Sequence, residues 1–548
     1  MFKWLKSGAP WIWLTAGAVS VSMLSVLGLL LLIGWKGLAY FWPAPLYQWE
    51  TEQGEKLIGQ VYSQEYVPIN HFREEESRLP KKIIDSGFIK RISIKVANRD
   101  LYGADFISIL DVKLNEPSSP KDLVVIERTS DGDFYGRLLH YYSSDGSFKK
   151  NIQQALTVGL IKAKILRDDI GYLVKRDVQG LNVQLENLRL EKRKHQFERS
   201  LDAEFMASYD AKSQELRNQL AQVEKVLDGL KQQLASQGVV VEDMRGKQVK
   251  IPLSRILDVW YPNQMNFSEK LRHWVKQVWK FLSDDPRESN SEGGVFPAMF
   301  GTVLLVLIMS VIVMPLGVIA AIYLHEYARN NLVTRLIRVA VINLAGVPSI
   351  VYGVFGLGFF VYFMGGSIDT LFYPERLPAP TFGTPGLLWS ALTLAILTLP
   401  VVIVATEEGL TRIPASVRQG SLALGATQFE TLWRIVLPMA SPAIITGLIL
   451  AVARAAGEVA PLMLVGAVKL ASSLPVDGQF PFIHLERKFM HLGFHIYDVG
   501  FQTTNIESAR PLVYATSFLL VTVIVGLNLT AISIRNNLRE KYRTLGQD

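Results

Sequence analysis

The chain has 548 residues, 49% of them hydrophobic, with 57 basic and 50 acidic side chains, a formal net charge of +7 and a mean hydropathy of +0.21. Its apolar residues gather in blocks too long for a soluble core, so this is a membrane protein with a large soluble part, and the small basic excess requires no nucleic acid. Cysteine is absent, which excludes disulfides, thiolate metal sites and thiol catalysis.

Residues Gly8 to Trp35 carry no charge and follow Lys3 and Lys6. The run is longer than a signal-peptide core and ends in Trp35, Lys36 and the aromatic group Tyr40, Phe41 and Trp42, which predicts an uncleaved first span within residues 1–35, with a cytoplasmic N-terminus. From 36 to 292 nothing spans. Between about Leu79 and Leu139 apolar and polar residues alternate, as at Ile92, Ile94 and Val96. Turn signals fall at Asp85-Ser86-Gly87, Pro117 to Pro120 and Asp131-Gly132-Asp133, so short strands of a β module are expected.

The pattern changes to helix over 181–236. Leu216, Leu220, Val223, Leu227, Leu230 and Leu234 step by four and three, and Leu181, Leu185 and Leu188 begin a similar seam. A coiled-coil rod and an antiparallel helical hairpin both fit. Val239 to Val241 and Val249 to Ile251 then read as strands, which sets the helices inside the β module. Over 266–282, Phe267, Leu271, Trp274, Val275, Val278, Phe281 and Leu282 share one helix face, opposite Lys270, Arg272, Lys276 and Lys280. That is the pattern of a helix lying in a membrane surface, with packing onto the soluble module as the rival. A polar linker runs from Asp284 to Gly294.

The remaining predicted spans are Phe296 to Leu324, Val339 to Met364, Gly386 to Thr406, Ala443 to Val468 and Pro511 to Ile534, six with the first. Arginines and lysines cluster in alternate loops, at Arg329, Arg335 and Arg338, at Arg412, Arg418 and Arg434, and in the tail at Arg535, Arg539, Lys541 and Arg543. Both termini are therefore expected in the cytoplasm and the 36–292 insert outside, as a periplasmic α+β module.

Between the third and fourth of these five spans, Gly425 is followed after nine residues by Ile435, Leu437 and Pro438. A glycine permits a positive φ and a sharp reversal between two short helices. Leu422, Leu424, Phe429, Leu432 and Trp433 would then be available to a partner, although a plain connection between spans fits equally. In the following span, about 26 residues or roughly 39 Å of helix, Arg454 and Glu458 fall near the middle and on one face. Ionisable residues at that depth mark a substrate path by default, with a self-neutralised pair as the alternative. Pro348 and Ser349, inside another span, free a backbone carbonyl toward the path or simply kink the helix. Glu408 and Arg412 read as a local surface pair. His491 and His495 have metal-ligand spacing but no third ligand, and read as part of an interfacial loop. No G-x-x-x-x-G-K-[ST] phosphate loop occurs, so ATP hydrolysis must come from another chain.

The glycine and the Ile-x-Leu-Pro positions resemble the E-A-A loop of ABC-importer permeases, with Gln419, Gly420 and Ser421 at the E-A-A positions. PLGVIAAIYLHEYA at Pro315 to Ala328, LAGVPSIVYGVFGLG at Leu344 to Gly358, LPVVIVATEEGL at Leu399 to Leu410 and ARAAGEVAPLML at Ala453 to Leu464 resemble the PstA branch of that family, the phosphate-specific permeases. The resemblance covers about 293–548. It implies a type I ABC-importer transmembrane domain there, in the inner membrane of a bacterium. It also implies that Gln419, Gly420, Ser421, Gly425, Ala426, Ile435, Leu437 and Pro438 couple to an ATPase. Arg454, Glu458, Pro348 and Ser349 would line the translocation path. The implied partners are a PstC-like second permease subunit, a PstB-like ATPase dimer and a periplasmic PstS-like phosphate-binding protein. No catalytic, metal or cofactor site is expected on this chain, ATP being used by the ATPase. The bidentate geometry of a guanidinium suits phosphate oxygens, and Glu458 would neutralise Arg454 in an empty cavity or accept the proton of a hydrogen phosphate. Two other readings are a permease for sulfate, molybdate or another oxyanion, and a membrane sensor or scaffold acting through the external helices.

Overall fold

Ala9–Ala39 forms one helix, α1, whose Trp11–Ala39 portion is long and apolar enough to cross a membrane. The computed structural model describes residues 9–52, 54–69, 87–143, 146–148, 151–198, 200, 202–287, 290–503 and 506–544; Lys3, Lys6 and the turn residues Asp85 and Ser86 lie outside them. The chain divides into one unit of Met1–Tyr40 with Phe281–Asp548 and another of Phe41–Lys280.

The second unit is built in layers. Strands β1 (Tyr47–Glu50), β2 (Lys56–Pro68), β3 (Phe88–Lys95) and β4 (Phe106–Leu110) form an antiparallel sheet in that order. A second sheet uses β5 (Leu123–Arg128), β6 (Phe134–Ser143), β7 (Gly146–Phe148), β8 (Gly238–Glu242), β9 (Gln248–Pro252) and β10 (Ile256–Trp260), in the order β10-β5-β6-β8-β9 with β7 on β6. Leu123 and Val125 pack with Trp49, Ile58 and Ile94 of the first sheet, while Val124 and Ile126 pack with Leu156, Ala163 and Leu234 of the helices. A strand covered on both faces needs no polar alternation, which is why β5 reads as a continuous apolar run. The strands before Leu79 were not apparent in the sequence pattern.

The helices enter between β7 and β8, and β6 pairs with β8 across them, Tyr141 opposite Val239. They begin at Ile152, well before Leu181. One helical run comprises α2 (Ile152–Leu173), a wide turn at Val174–Val178 and α3 (Gln179–Phe197). Asp202 then accepts a hydrogen bond from the Phe205 N–H (2.7 Å) and starts the returning α4 (Ala203–Ala235). Leu181, Leu188 and Leu216 bury one another, and Lys192 lies 4.3 Å from the Tyr209 ring, so the seam closes within the chain as an antiparallel hairpin. Helix α5 (Phe267–Ser283) opens on Asn266, which accepts from the Glu269 N–H and donates its own N–H to the Glu269 carboxylate.

In the first unit, α6 (Phe296–Ile322) and α10 (Leu387–Thr411) carry the centre of the core. Leu305, Met309 and Val313 pack with Leu387, Leu394, Leu397 and Val402, and with Val452, Ala455 and Ala456 of α13 (Leu437–Gly457). Between α6 and α10 come α7 (Leu332–Leu344), α8 (Ser349–Phe355) and α9 (Gly366–Phe372). α11 (Ala415–Ala423) and α12 (Gln428–Thr431) precede α13, and α14 (Leu462–Val465), α15 (Leu492–Tyr497) and α16 (Ile506–Thr544) follow it. Helix α1 lies against α16, where a Cβ on Gly37 would stand 2.8 Å from the Ala515 backbone. Among the described residues, six helical runs are long and apolar enough to cross a membrane: Trp11–Ala39, Phe296–Tyr327, Ser349–Phe372, Leu387–Thr411, Gln428–Gly457 and Ala509–Asn537.

Two span boundaries differ from the sequence reading. The run Val339 to Met364 is not one helix: α7 ends at Leu344, Pro348 adopts an extended conformation (φ −55°, ψ 133°), and the spanning helix starts at Ser349. Pro348 and Ser349 therefore mark a complete break at a span entrance rather than a kink within a span. The helix expected to reach Val468 stops at Gly457, with Glu458 already extended and Pro461 unable to continue it.

Between the fifth and sixth spans, His491 and His495 are buried, and the His491 Nδ1 accepts the Gly493 N–H (3.1 Å). Among the described residues no three metal-ligating side chains gather. Burial holds both imidazoles down to about 4, Asp498 raising and Lys469 further lowering His495. A site that binds a proton more readily unfolded than folded stabilises the fold above the ordinary histidine value of about 6.5, and that contribution drains away as the pH falls toward 4. Stability should therefore drop between about pH 7 and about pH 4, by up to about 3 kcal/mol per imidazole. Thermal unfolding of the purified protein across that range should show the decline, and His495→Met should flatten it. An unchanged slope in the variant contradicts the assignment.

Candidate functional site

Helix α11 ends at Ala423, and Gly425 (φ +91°) turns the chain back, a conformation that a side chain would strain. Thr427 then caps α12 reciprocally with Glu430, whose carboxylate accepts from the Thr427 N–H and hydroxyl. The two arms are pinned together by Ser421 and Thr431, hydroxyl to hydroxyl at 2.8 Å, both buried. A wide turn, Leu432–Val436, joins α12 to α13 without interruption. Pro438 thus sits inside a continuous helical run. The wide turn before it absorbs the missing N–H and the clash with the preceding turn, so the proline neither breaks nor restarts the helix.

Gln419, Gly420 and Gly425 are exposed, Ser421 is buried, and Ala426, Ile435, Leu437 and Pro438 are partly covered. Leu422, Leu424, Phe429 and Trp433 are all exposed, and the Phe429 and Trp433 rings stack at 6.3 Å, 10° from parallel. Leu432, read as available to a partner, instead joins the core with Leu410, Ile413, Val436 and Ala440. At the start of the wide turn it points inward, while Phe429 and Trp433 occupy the outer face.

Sequence reasoning missed the group that holds this elbow in place. Arg418 reaches Glu326 (3.0 Å), in the wide turn Tyr323–Tyr327 that closes α6, and donates to the Leu410 carbonyl (2.8 Å) at the end of α10. Glu326 is far from Arg418 in sequence, so spacing could not reveal the ion pair. Arg412 and Glu408 stand at 4.0 Å on the surface, and Glu407 pairs with Arg338 (3.7 Å).

Arg454 occupies the last turn of α13, about 26 Å along the axis from Leu437, and Glu458 is its C-cap. The pair was expected near the middle of a longer helix. It lies instead in the last turn of a shorter helix, at the end opposite the elbow. The Arg454 Nε is 3.7 Å from the Glu458 carboxylate, and both side chains remain partly exposed. Tyr352 of α8, within electrostatic reach of Arg454, donates to the Leu344 carbonyl (2.6 Å) and ties α8 to α7 across the break at Pro348. Val347, Tyr352, Val452, Ala455, Ala456 and Leu462 share one cluster, so the break at Gly346 to Pro348 and the end of α13 converge. A Cβ on Gly353 would meet the Pro461 backbone at 2.7 Å, which explains the glycine at that crossing. The arrangement offers a cation with an incomplete partner and a paired carboxylate, next to two helix ends.

Comparison with known proteins adds four findings. A family model described as "Binding-protein-dependent transport system inner membrane component" matches residues 313–543. The chain is 30% identical over 271 residues to "Probable ABC transporter permease protein YqgI" of Bacillus subtilis (strain 168), covering 48% of this chain and 86% of that protein. It is 34% identical over 244 residues to "Phosphate transport system permease protein PstA 1" of Mycobacterium tuberculosis (strain ATCC 25618 / H37Rv), covering 44% and 70%. A solved structure of the MetNI methionine ABC transporter in an inward-facing conformation aligns over 48% of this chain and 98% of that chain at 18% identity, with a TM-score of 0.33, too low to speak for a shared fold.

Proposed function

Because this chain belongs to the family of ABC transporter permeases, the binding-protein-dependent transport system inner membrane components, we propose that it forms the PstA-like half of an ATP-driven phosphate importer. It is a multi-pass inner-membrane permease component and not an enzyme. The observation that carries the cargo is Arg454, a guanidinium incompletely paired at a helix end, in a chain whose relatives at 34% identity are named phosphate transport permeases. A planar fork of donors matches two phosphate oxygens, and Glu458 holds the charge while no anion is bound.

In this reading the 418–438 elbow faces the cytoplasm and seats in a PstB-like ATPase, one copy of a dimer that supplies ATP hydrolysis. The other half of the path belongs to a PstC-like permease subunit, and a PstS-like protein delivers phosphate from the periplasm. Both termini are cytoplasmic and the Phe41–Lys280 unit is periplasmic. Closure of the ATPases moves the elbow, and α13 transmits that movement to Arg454 at its far end.

The test is reconstitution of this chain with the candidate second permease and ATPase in vesicles, followed by ATP-dependent uptake of radiolabelled phosphate. Uptake that requires ATP and the binding protein, and that excess sulfate or molybdate leaves unchanged, supports the proposal. Competition by those oxyanions reassigns the cargo, and failure of any ATPase to co-purify removes the coupling.

A further inference from the structure

Helix α5 leaves one side bare. Phe267, Leu271, Val275 and Trp279 fall four residues apart along a single face and are 73%, 45%, 54% and 69% exposed. The opposite face is fully engaged. His273 is buried against Trp260 (ring centroids 4.6 Å apart), Lys276 pairs with Asp258 (2.5 Å), and Lys280 pairs with Glu127 (2.7 Å). Those contacts fix the rotation of the helix, so the apolar stripe cannot roll inward. The packing expected as the rival of a membrane-surface helix is therefore real: it uses the lysine side and also buries Phe281 of the predicted apolar face, leaving Phe267, Leu271, Val275 and Trp279 bare.

The two ends of α5 identify what covers the stripe. At the C-terminal end, the Phe281 carbonyl accepts from the Val295 N–H (2.8 Å) and the Asp284 carbonyl from the Phe296 N–H (3.3 Å), and Phe296 is the first residue of the span α6. At the N-terminal end, the Phe267 ring packs on Trp42 (5.9 Å). Trp42 follows Ala39, the last residue of the span α1, by three residues, which at full extension reach only about 11 Å. A helix of 17 residues, about 25 Å long, is thus held at both ends within a short reach of where a span leaves the bilayer. Exposed Arg272 lies at the edge of the stripe, where a lipid phosphate would meet it.

We propose that α5 lies in the plane of the membrane surface, with Phe267, Leu271, Val275 and Trp279 sunk into the boundary between headgroups and acyl chains, so that the helix seats the layered unit on the bilayer. This role is independent of the cargo and of the ATPase. The chain contains no cysteine, so single substitutions give single labelling sites. Leu271→Cys, Val275→Cys and Trp279→Cys are made in the full chain, with Ile319→Cys on the exposed side of α6 as lipid reference and Glu224→Cys on α4 as water reference. Each is spin-labelled and reconstituted in vesicles of phosphatidylethanolamine and phosphatidylglycerol. Accessibility to oxygen is compared with accessibility to a water-soluble nickel chelate. The three α5 positions should resemble Ile319, with an oxygen-to-nickel ratio several-fold above that at Glu224. A ratio equal to that at Glu224 overturns the proposal. Protection from both reagents overturns it too, because a protein partner or a second copy of the chain would then cover the stripe. All three substitutions are at exposed positions and leave the packed face intact.

Discussion

Arg454→Ala should reduce ATP-driven phosphate uptake roughly ten- to a hundredfold, the equivalent of the roughly 1.5–3 kcal/mol carried by a hydrogen bond to a charged group. The argument does not rest on depth, since the side chain stands in the last turn of α13 and not at its centre. It rests on chemistry: the guanidinium has one carboxylate at 3.7 Å and remains partly exposed, so donors are left over for an anion. Arg454→Lys should recover only part of the rate, because an ammonium keeps the charge but loses the fork. Removing Arg454 also orphans Glu458, so the double variant with Glu458→Gln separates a lost ligand from a stranded carboxylate. Uptake should fall in both while the ATPase stays bound. Normal uptake by Arg454→Ala at normal protein levels would remove this residue from the path.

Phe429→Ala combined with Trp433→Ala should weaken ATPase binding by roughly thirtyfold or more, the loss expected from central aromatic anchors worth about 2 kcal/mol. The two rings stack on each other, and both are largely exposed, so their truncation costs the permease itself little. Phe480→Ala, which removes another exposed ring in the loop before α15, serves as the control and should leave binding unchanged. Measurement is by co-purification of the ATPase at graded concentrations. Equal recovery with the double variant and the wild type would mean that the elbow is not the contact.

The spans were legible because about twenty uncharged apolar residues admit few other fates, and the elbow because Gly425 permits the left-handed turn that a side chain would strain. What stayed hidden was the backbone path inside apolar runs. Residues Val339 to Met364 carry no charge, yet the chain breaks at Pro348, and the run containing Arg454 is apolar again from Val459 to Val468, after its helix has ended. Hydropathy reports the solvent, not the hydrogen bonding. Long-range pairs were equally invisible: nothing near Arg418 points to Glu326, and nothing near Ser421 points to Thr431. In the other unit, Ile92 and Ile94 alternate as a half-covered strand should, whereas β5 does not, because the layers on both of its faces remove the polar positions.

The Arg418 to Glu326 pair has a mechanical consequence. The elbow continues α10 on one side and α13 on the other, and through Arg418 it is also bolted to the close of α6. A push on its outer rings would therefore load the end of α6 as well as α10 and α13, which it already joins.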